Sequence, residues 1–196
     1  MAVHSIAPRL EKKRRRILDA ASRIFAERDY HAVSMDEVAR VARVGKGTLY
    51  RYFDSKEDLY LSLIDEALVL LTDRLEEEQR ADLPPAEALS RMIRAIVQTF
   101  CQHLPAFRVI NSNEARLLLT RRQLFLSRRR RIALVLGRVL ERGAATGVFR
   151  DVSSVVTPSL LIGMVWGAVL YHSAEVTPEA LATTIADAFL HGALQP

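Results

Sequence analysis

Lys46, Thr48, Tyr50, Arg51 and Tyr52 place five hydrogen-bond donors within seven consecutive residues, around a bare Gly47. No carboxylate or imidazole stands among them to act as a general base. What an ammonium, a hydroxyl, a guanidinium and two phenols share is the ability to donate to anions and to carbonyl-like acceptors. The phosphates and base edges of a nucleic acid present those acceptors. Gly47 lacks a side chain and permits close approach of another backbone.

Something must hold these side chains outward. Leu49 and Phe53 stand four apart, so a short helix over Lys46–Phe53 turns both inward and leaves Tyr50 and Arg51 facing away. An earlier helix is announced by Ser34 and Glu37, the S-x-x-E spacing of a capping box, followed by Val38, Val41 and Ala42 on one face. The turn between the two is Arg43-Val44-Gly45. It needs conformational freedom at one position: either Arg43 accepts a left-handed backbone or Gly45 supplies the freedom. Ser55 and Asp58 repeat the cap and open a long helix. Two short helices with a tight turn form a helix-turn-helix, whose second helix enters the major groove of duplex DNA.

At this point the sequence resembles a known family. Val44-Gly45-Lys46-Gly47-Thr48-Leu49-Tyr50-Arg51-Tyr52-Phe53 followed by Ser55-Lys56 looks like the DNA-binding domain of the TetR (tetracycline-repressor-like) bacterial transcription regulators. Ile17-Leu18-Asp19-Ala20-Ala21 and Ile24-Phe25-Ala26-Glu27-Arg28 resemble that family's first helix. The likeness covers roughly residues 10–65; beyond it only length and helical layout correspond. The chain departs from the commonest pattern at Arg43, where members often carry Gly, and at Gly45, where they often carry Ser. The resemblance implies backbone contacts for Tyr50 and Tyr52 and a phosphate contact for Lys56. Ser34 and Arg43 are further candidates for phosphate, Lys46, Gly47 and Thr48 lie at the groove-facing end, and Arg51 is the candidate base reader. Two of these have competing roles. Tyr52 packs beside Phe53 in the alternative, and Arg51 pairs with Asp54 or Glu57.

Charge follows the same division. Residues 1–56 carry 13 Lys+Arg against 7 Asp+Glu, a net of +6, and the remaining residues carry 15 against 16, a net of −1. A basic head on a near-neutral body suits a DNA reader joined to a sensing or assembly domain. The expected fold is all-α, in two parts. Residues 1–54 form a three-helix DNA-binding domain, and residues 55–196 form a helical ligand-binding and dimerisation domain, for about nine helices in all.

In the body, apolar periodicity predicts helices near 56–80, 85–103, 106–119, 121–143, 153–173 and from Thr177-Pro178-Glu179 onward. Val152–Ala174 contains no Asp, Glu, Lys or Arg. That length can cross a bilayer, but its serines, threonine, proline and histidine argue for burial in protein, and no membrane partner is expected. Leu160, Met164, Ala168 and Tyr171 on this helix, and Leu181, Ile185, Ala188 and Phe189 on the last, form stripes. They predict either a homodimer through a four-helix bundle, as the resemblance implies, or an intramolecular core. Phe100, His103, Phe107, Asn111, Phe125, Arg128 and Trp166 mix apolar walls with polar groups, as a site for a small-molecule effector does. In the run Arg128–Arg131, helical phase turns Arg128 or Arg129 inward, toward Glu114, Asp187 or an acidic ligand.

Enzyme chemistry finds no support. His4, His31, His103, His172 and His191 have no metal-ligand spacing, no glycine-rich phosphate loop is present, and Cys101 and His103 lie on different helical faces. No cofactor or metal is expected. The lone cysteine and the N-terminus without an apolar leader suit a cytoplasmic protein. The expected function is a ligand-responsive regulator, most simply a repressor, binding a palindromic duplex as a homodimer. The competing expectation is a constitutive or architectural DNA binder without a ligand.

Overall fold

A computed structural model describes residues 6–104, 116–150, 153–171 and 175–193, and every regular element in them is a helix. Eight helices are described: α1 (Ile6–Glu27), α2 (Met35–Val41), α3 (Lys46–Tyr50), α4 (Lys56–Arg80), α5 (Pro85–Gln102), α6 (Arg116–Ala145), α7 (Val156–Tyr171) and α8 (Pro178–Ala193). The chain divides into two compact units. The first holds the described residues up to Glu66 with 116–121, and the second holds Ala67–Leu104 with the described residues from Arg122 onward.

The first unit packs α1 on α2 and α2 on α3. Ile17, Leu18, Ala21, Ile24 and Phe25 are buried, whereas Leu10 is 41% exposed. An aromatic cluster closes the unit. Tyr60 meets Phe25 edge-on at 4.7 Å and Tyr30 at 4.8 Å. The Tyr30 hydroxyl donates to the Glu57 carboxylate at 2.9 Å, so a buried phenol keeps its polar end satisfied. Burial drives the Tyr60 hydroxyl well above the ordinary tyrosine range.

In the second unit α5 packs against α8 and α7. Its stripe of Leu89, Met92, Ile93, Ile96, Val97 and Phe100 is buried throughout. On α4, Ala67 and Leu71 are buried, but Leu70 points out, 55% exposed. α6 departs from expectation at its start. Residues 116–119, expected in a separate helix, already belong to α6, because nothing between Leu119 and Gln123 breaks a helix; residues 105–115 lie outside the description. Its end is fixed by Gly147, whose φ of 71° suits a residue without a side chain. The Phe149 ring then folds back onto Gly143, where a Cβ would stand 2.1 Å from a ring carbon. α8 starts at the predicted cap, with the Thr177 hydroxyl accepting from the Ala180 amide at 3.2 Å and Pro178 at the first helical position.

The uncharged stretch forms α7, which has 16 residues. Among the described residues no helix is long and apolar enough to cross a membrane. Leu161, Ile162, Val165 and Val169 on α7 are buried, and its opposite side exposes Leu160, Met164 and Tyr171. On α8 the expected stripe of Leu181, Ile185 and Phe189 is buried within the chain, while Ala188 is exposed. That stripe therefore serves the chain's own core.

Candidate nucleic-acid interface

Local chemistry builds the interface in three steps. The Ser34 hydroxyl accepts from the Glu37 amide at 3.2 Å and starts α2. The other half of the expected box is not formed. Glu37 instead accepts from Arg28 at 2.6 Å, since a guanidinium offers a carboxylate a charge-assisted bond that the Ser34 amide cannot match. On α2, Met35, Val38, Ala39 and Ala42 face inward, and Val41, expected inside, is 38% exposed.

The turn resolves in favour of strain. Arg43 has a φ of 53°, and Gly45 sits in an extended conformation at φ −69°, ψ 148°. A left-handed residue with a Cβ costs about 1 kcal/mol or somewhat more. Gly45 uses none of its conformational freedom here, and a Cβ on it would make only an ordinary contact, 3.9 Å from the Thr48 hydroxyl. α3 then runs only from Lys46 to Tyr50, shorter than expected, with Arg51 as its C-cap. Leu49 is fully buried and Phe53 is 1% exposed, and these two anchors orient everything around them.

What faces outward follows. Tyr50 is 42% exposed. Arg51 is exposed and makes no ion pair among the described residues, and the Glu57 carboxylate accepts instead from the Tyr30 hydroxyl. Glu57's carboxyl is held below its usual range by its own backbone amide, with the Tyr30 hydroxyl assisting. Tyr52 and Thr48 are half-buried, and a Cβ on Gly47 would meet nothing within 4 Å. Lys46 is paired with Asp36 at 2.8 Å, which raises its pKa. Both side chains are largely exposed, so the pair is weak and exchangeable.

Lys56 is more deeply engaged. Its ammonium donates to the Tyr30 and Val33 carbonyls at 2.9 and 3.1 Å and stands 4.3 Å over the Tyr30 ring. An ammonium has three donors, so one remains. The sequence marked Lys56 as a phosphate ligand and missed this structural role, because Tyr30 lies 26 residues away.

The expected effector residues fall into two groups. Phe107 and Asn111 lie outside the described residues. In the second unit, Phe100 and Trp166 meet edge-to-face at 5.6 Å, with Cys101 and His103 half-buried nearby in sequence. Burial pushes the Cys101 thiol up and the His103 imidazole down. Phe125 and Arg128 are half-buried. Arg129, the alternative inward arginine, is exposed and lines an open groove of about 360 Å³ with Arg130, Leu126, Leu134 and Val155. Arg131 donates to Glu76 at 2.8 Å, and Arg80 reaches the same carboxylate. The acidic end of α4 is thus salt-bridged to α6, and the Arg131 bond lowers Glu76's pKa.

Comparison with known proteins agrees with this architecture. Residues 17–63 match the family described as bacterial regulatory proteins, tetR family, and residues 82–193 match the tetracyclin repressor-like C-terminal domain. The chain belongs to the TetR family of bacterial regulatory proteins. It is 36% identical over 77 residues to the fatty acid metabolism regulator protein of Bacillus subtilis, covering 39% of this chain and 40% of that one. The chain spans about half the length of the curated relatives it matches. Over the whole fold it is similar to the crystal structure of the TetR family regulator PfmR from Thermus thermophilus. The TM-score is 0.73 at 26% identity, with 89% of this chain and 97% of that one covered. AibR, solved in complex with isovaleryl coenzyme A and operator DNA, shares the fold at 23% identity. Its TM-score is 0.66, over 94% of this chain and 99% of that one.

Proposed function

We propose that the protein is a transcriptional regulator that binds a palindromic DNA duplex as a homodimer and is released from it by a small amphipathic effector. The observation that carries the reading is the outward face of α3, where Arg51 stands exposed beside Tyr50 and without an ion pair among the described residues, while Leu49 and Phe53 fix the helix from below. Arginine reads guanine through two parallel hydrogen bonds, so Arg51 is the base reader. Lys46 exchanges Asp36 for a phosphate, Lys56 gives its third donor to another, and Ser34, Thr48, Tyr50 and Tyr52 position the backbone around Gly47.

Dimerisation is proposed through α7, whose outer side presents Leu160, Met164 and Tyr171 beside Gly163 and Gly167, two positions with open space where a Cβ would stand. The single head has a small footprint, and a two-fold pair of heads reads a two-fold site. The effector site is assigned to Phe100, His103, Phe125, Arg128 and Trp166, together with Phe107 and Asn111. An arginine together with aromatic side chains suits an acyl chain bearing an anionic group, the class to which the isovaleryl coenzyme A bound by AibR belongs. α4 runs unbroken from Lys56 to Arg80, so an effector that displaces α4 shifts Lys56 and the recognition helix with it. In such a regulator the effector ends repression by weakening DNA binding.

The test pairs two variants on a duplex selected by the wild type. Arg51→Ala should cost about 1–3 kcal/mol and relax preference at one base pair per half-site. Lys46→Ala should weaken all duplexes alike and lower the salt slope. An unchanged consensus for Arg51→Ala removes Arg51 as base reader. For the switch, effector and DNA must weaken each other by the same factor. Equal effector affinity for free and operator-bound protein rules the pocket out as the switch.

A further inference from the structure

The first unit carries a second cationic feature, away from the α3 face. Arg16 and Arg23 lie two turns apart on α1. Arg16 Nη2 donates to the Ala42 carbonyl at 2.9 Å, and Arg23 Nε donates to the Asp19 carbonyl at 3.1 Å. Each bond ties down one edge of a guanidinium and leaves its other N–H groups free to donate. Arg43 is exposed, has no ion pair among the described residues, and closes a cleft of about 450 Å³ with Arg16, Arg23, Asp19, Val41 and Ala42.

Arg43 is also the described non-glycine residue with a positive φ. The strain of the turn therefore falls on the residue whose side chain completes the cleft, and strained backbone concentrates at functional sites. Three guanidiniums against the one carboxylate of Asp19 leave the cleft cationic. Planar guanidinium forks match the oxygens of a phosphate two at a time. The cleft opens beside the turn that delivers α3, three residues before Lys46.

We propose that this cleft binds a backbone phosphate of the duplex outside the stretch read by α3, so that Arg16, Arg23 and Arg43 lengthen the footprint of each head. The inference rests on α3 being the DNA-reading helix. It assigns Arg16 and Arg23 a binding role and gives the strained Arg43 a reason.

Arg43→Gly separates binding from folding, because glycine adopts the left-handed turn without strain. Wild type, Arg43→Gly and an Arg16→Gln/Arg23→Gln double variant are titrated by fluorescence anisotropy over a salt series. The duplexes carry the selected operator either trimmed to the bases it specifies or extended by flanks of arbitrary sequence. The wild type is expected to bind the extended duplex about tenfold tighter than the trimmed one. Arg43→Gly and the double variant should lose that gain, with the salt slope on the extended duplex falling by about two units, one phosphate per head of a dimer. The base preference should not change, and Asp19→Asn should increase the gain. If Arg43→Gly keeps both the flank gain and the slope while the wild type binds its operator, the cleft proposal alone is overturned. It is equally overturned if inorganic phosphate saturates the cleft without DNA, in a heteronuclear NMR titration of the arginine side chains, while the flank gain survives in Arg43→Gly. If the wild type binds no duplex at all, this proposal and the reading of α3 both fall.

Discussion

The exposed groups on α3 and its C-cap include Lys46, Tyr50, 42% exposed, and Arg51, which is without an ion pair among the described residues; those on α7 include Val156, Leu160, Met164 and Tyr171, at 54, 63, 41 and 83% exposure. Neither surface is finished, and they lack different things. The α3 face holds donors that water satisfies until an anion replaces it, at little cost in the free protein. The α7 face holds apolar area that only another apolar surface removes from water. A helix stripped of charge over its whole length, with glycines on its open side, is the face at which the proposed homodimer would form. The comparison predicts that a new charge has opposite consequences on the two faces.

The largest effect is expected from Gly167→Asp. It places an unpaired carboxylate in the proposed subunit contact, and burying one costs at least about 3 kcal/mol. Sedimentation should show the dimer dissociating more than about a hundredfold more readily, with operator binding lost in parallel. An unchanged dimer removes α7 from the interface and reduces the comparison to one functional face.

Gly143→Ala tests whether the two surfaces fail independently. The added methyl would sit 2.1 Å from the Phe149 ring, which is itself 2% exposed, so the ring must leave its site. Overpacking of this kind costs about 1–3 kcal/mol. The melting temperature should fall by several degrees, while protein that remains folded keeps the wild-type base preference. A preference that changes with Gly143→Ala would show the head and body to be one cooperative reader.

The smallest effect concerns pH. Burial lowers the His103 pKa below its ordinary 6.5, so the unfolded chain takes up a proton more readily than the folded one. The stability this neutral histidine allows is present above the unfolded pKa and is lost as pH falls through the folded value. Melting temperature should therefore decline as pH drops from about 7 to about 5.5, and His103→Gln should flatten part of that decline. In the head, Glu57's pKa is shifted down, so its contribution is lost only at lower pH. A His103→Gln profile identical to wild type would place the neutral-range sensitivity elsewhere.

How far the sequence revealed all this differs between the same two regions. In the head, chemistry and periodicity coincide. The cap at Ser34 and the buried Leu49–Phe53 pair were legible because each depends on neighbours three or four residues away. The role of Lys56 was not, since its partners Tyr30 and Val33 are brought to it by tertiary folding. Nor could spacing decide whether Arg43 or Gly45 takes the strained conformation, because both leave the same hydrophobic pattern. In the body, periodicity located α5 and α7 but not their partners. The stripe of α8 reads the same whether it meets α5 or another subunit, and only the fold assigns Leu181, Ile185 and Phe189 to the interior. The closeness of Gly143 to Phe149 follows from a turn whose geometry no residue count contains.

The central claim is that two copies of the α3 face read one duplex. It is tested most directly by selecting binders from a random duplex pool with the full-length wild type and sequencing what is retained. The account predicts an enriched, two-fold symmetric consensus whose half-sites are separated by about one helical turn, roughly 34–36 Å, or a multiple of it. A pool that remains random, or an enriched site without two-fold symmetry, would contradict it.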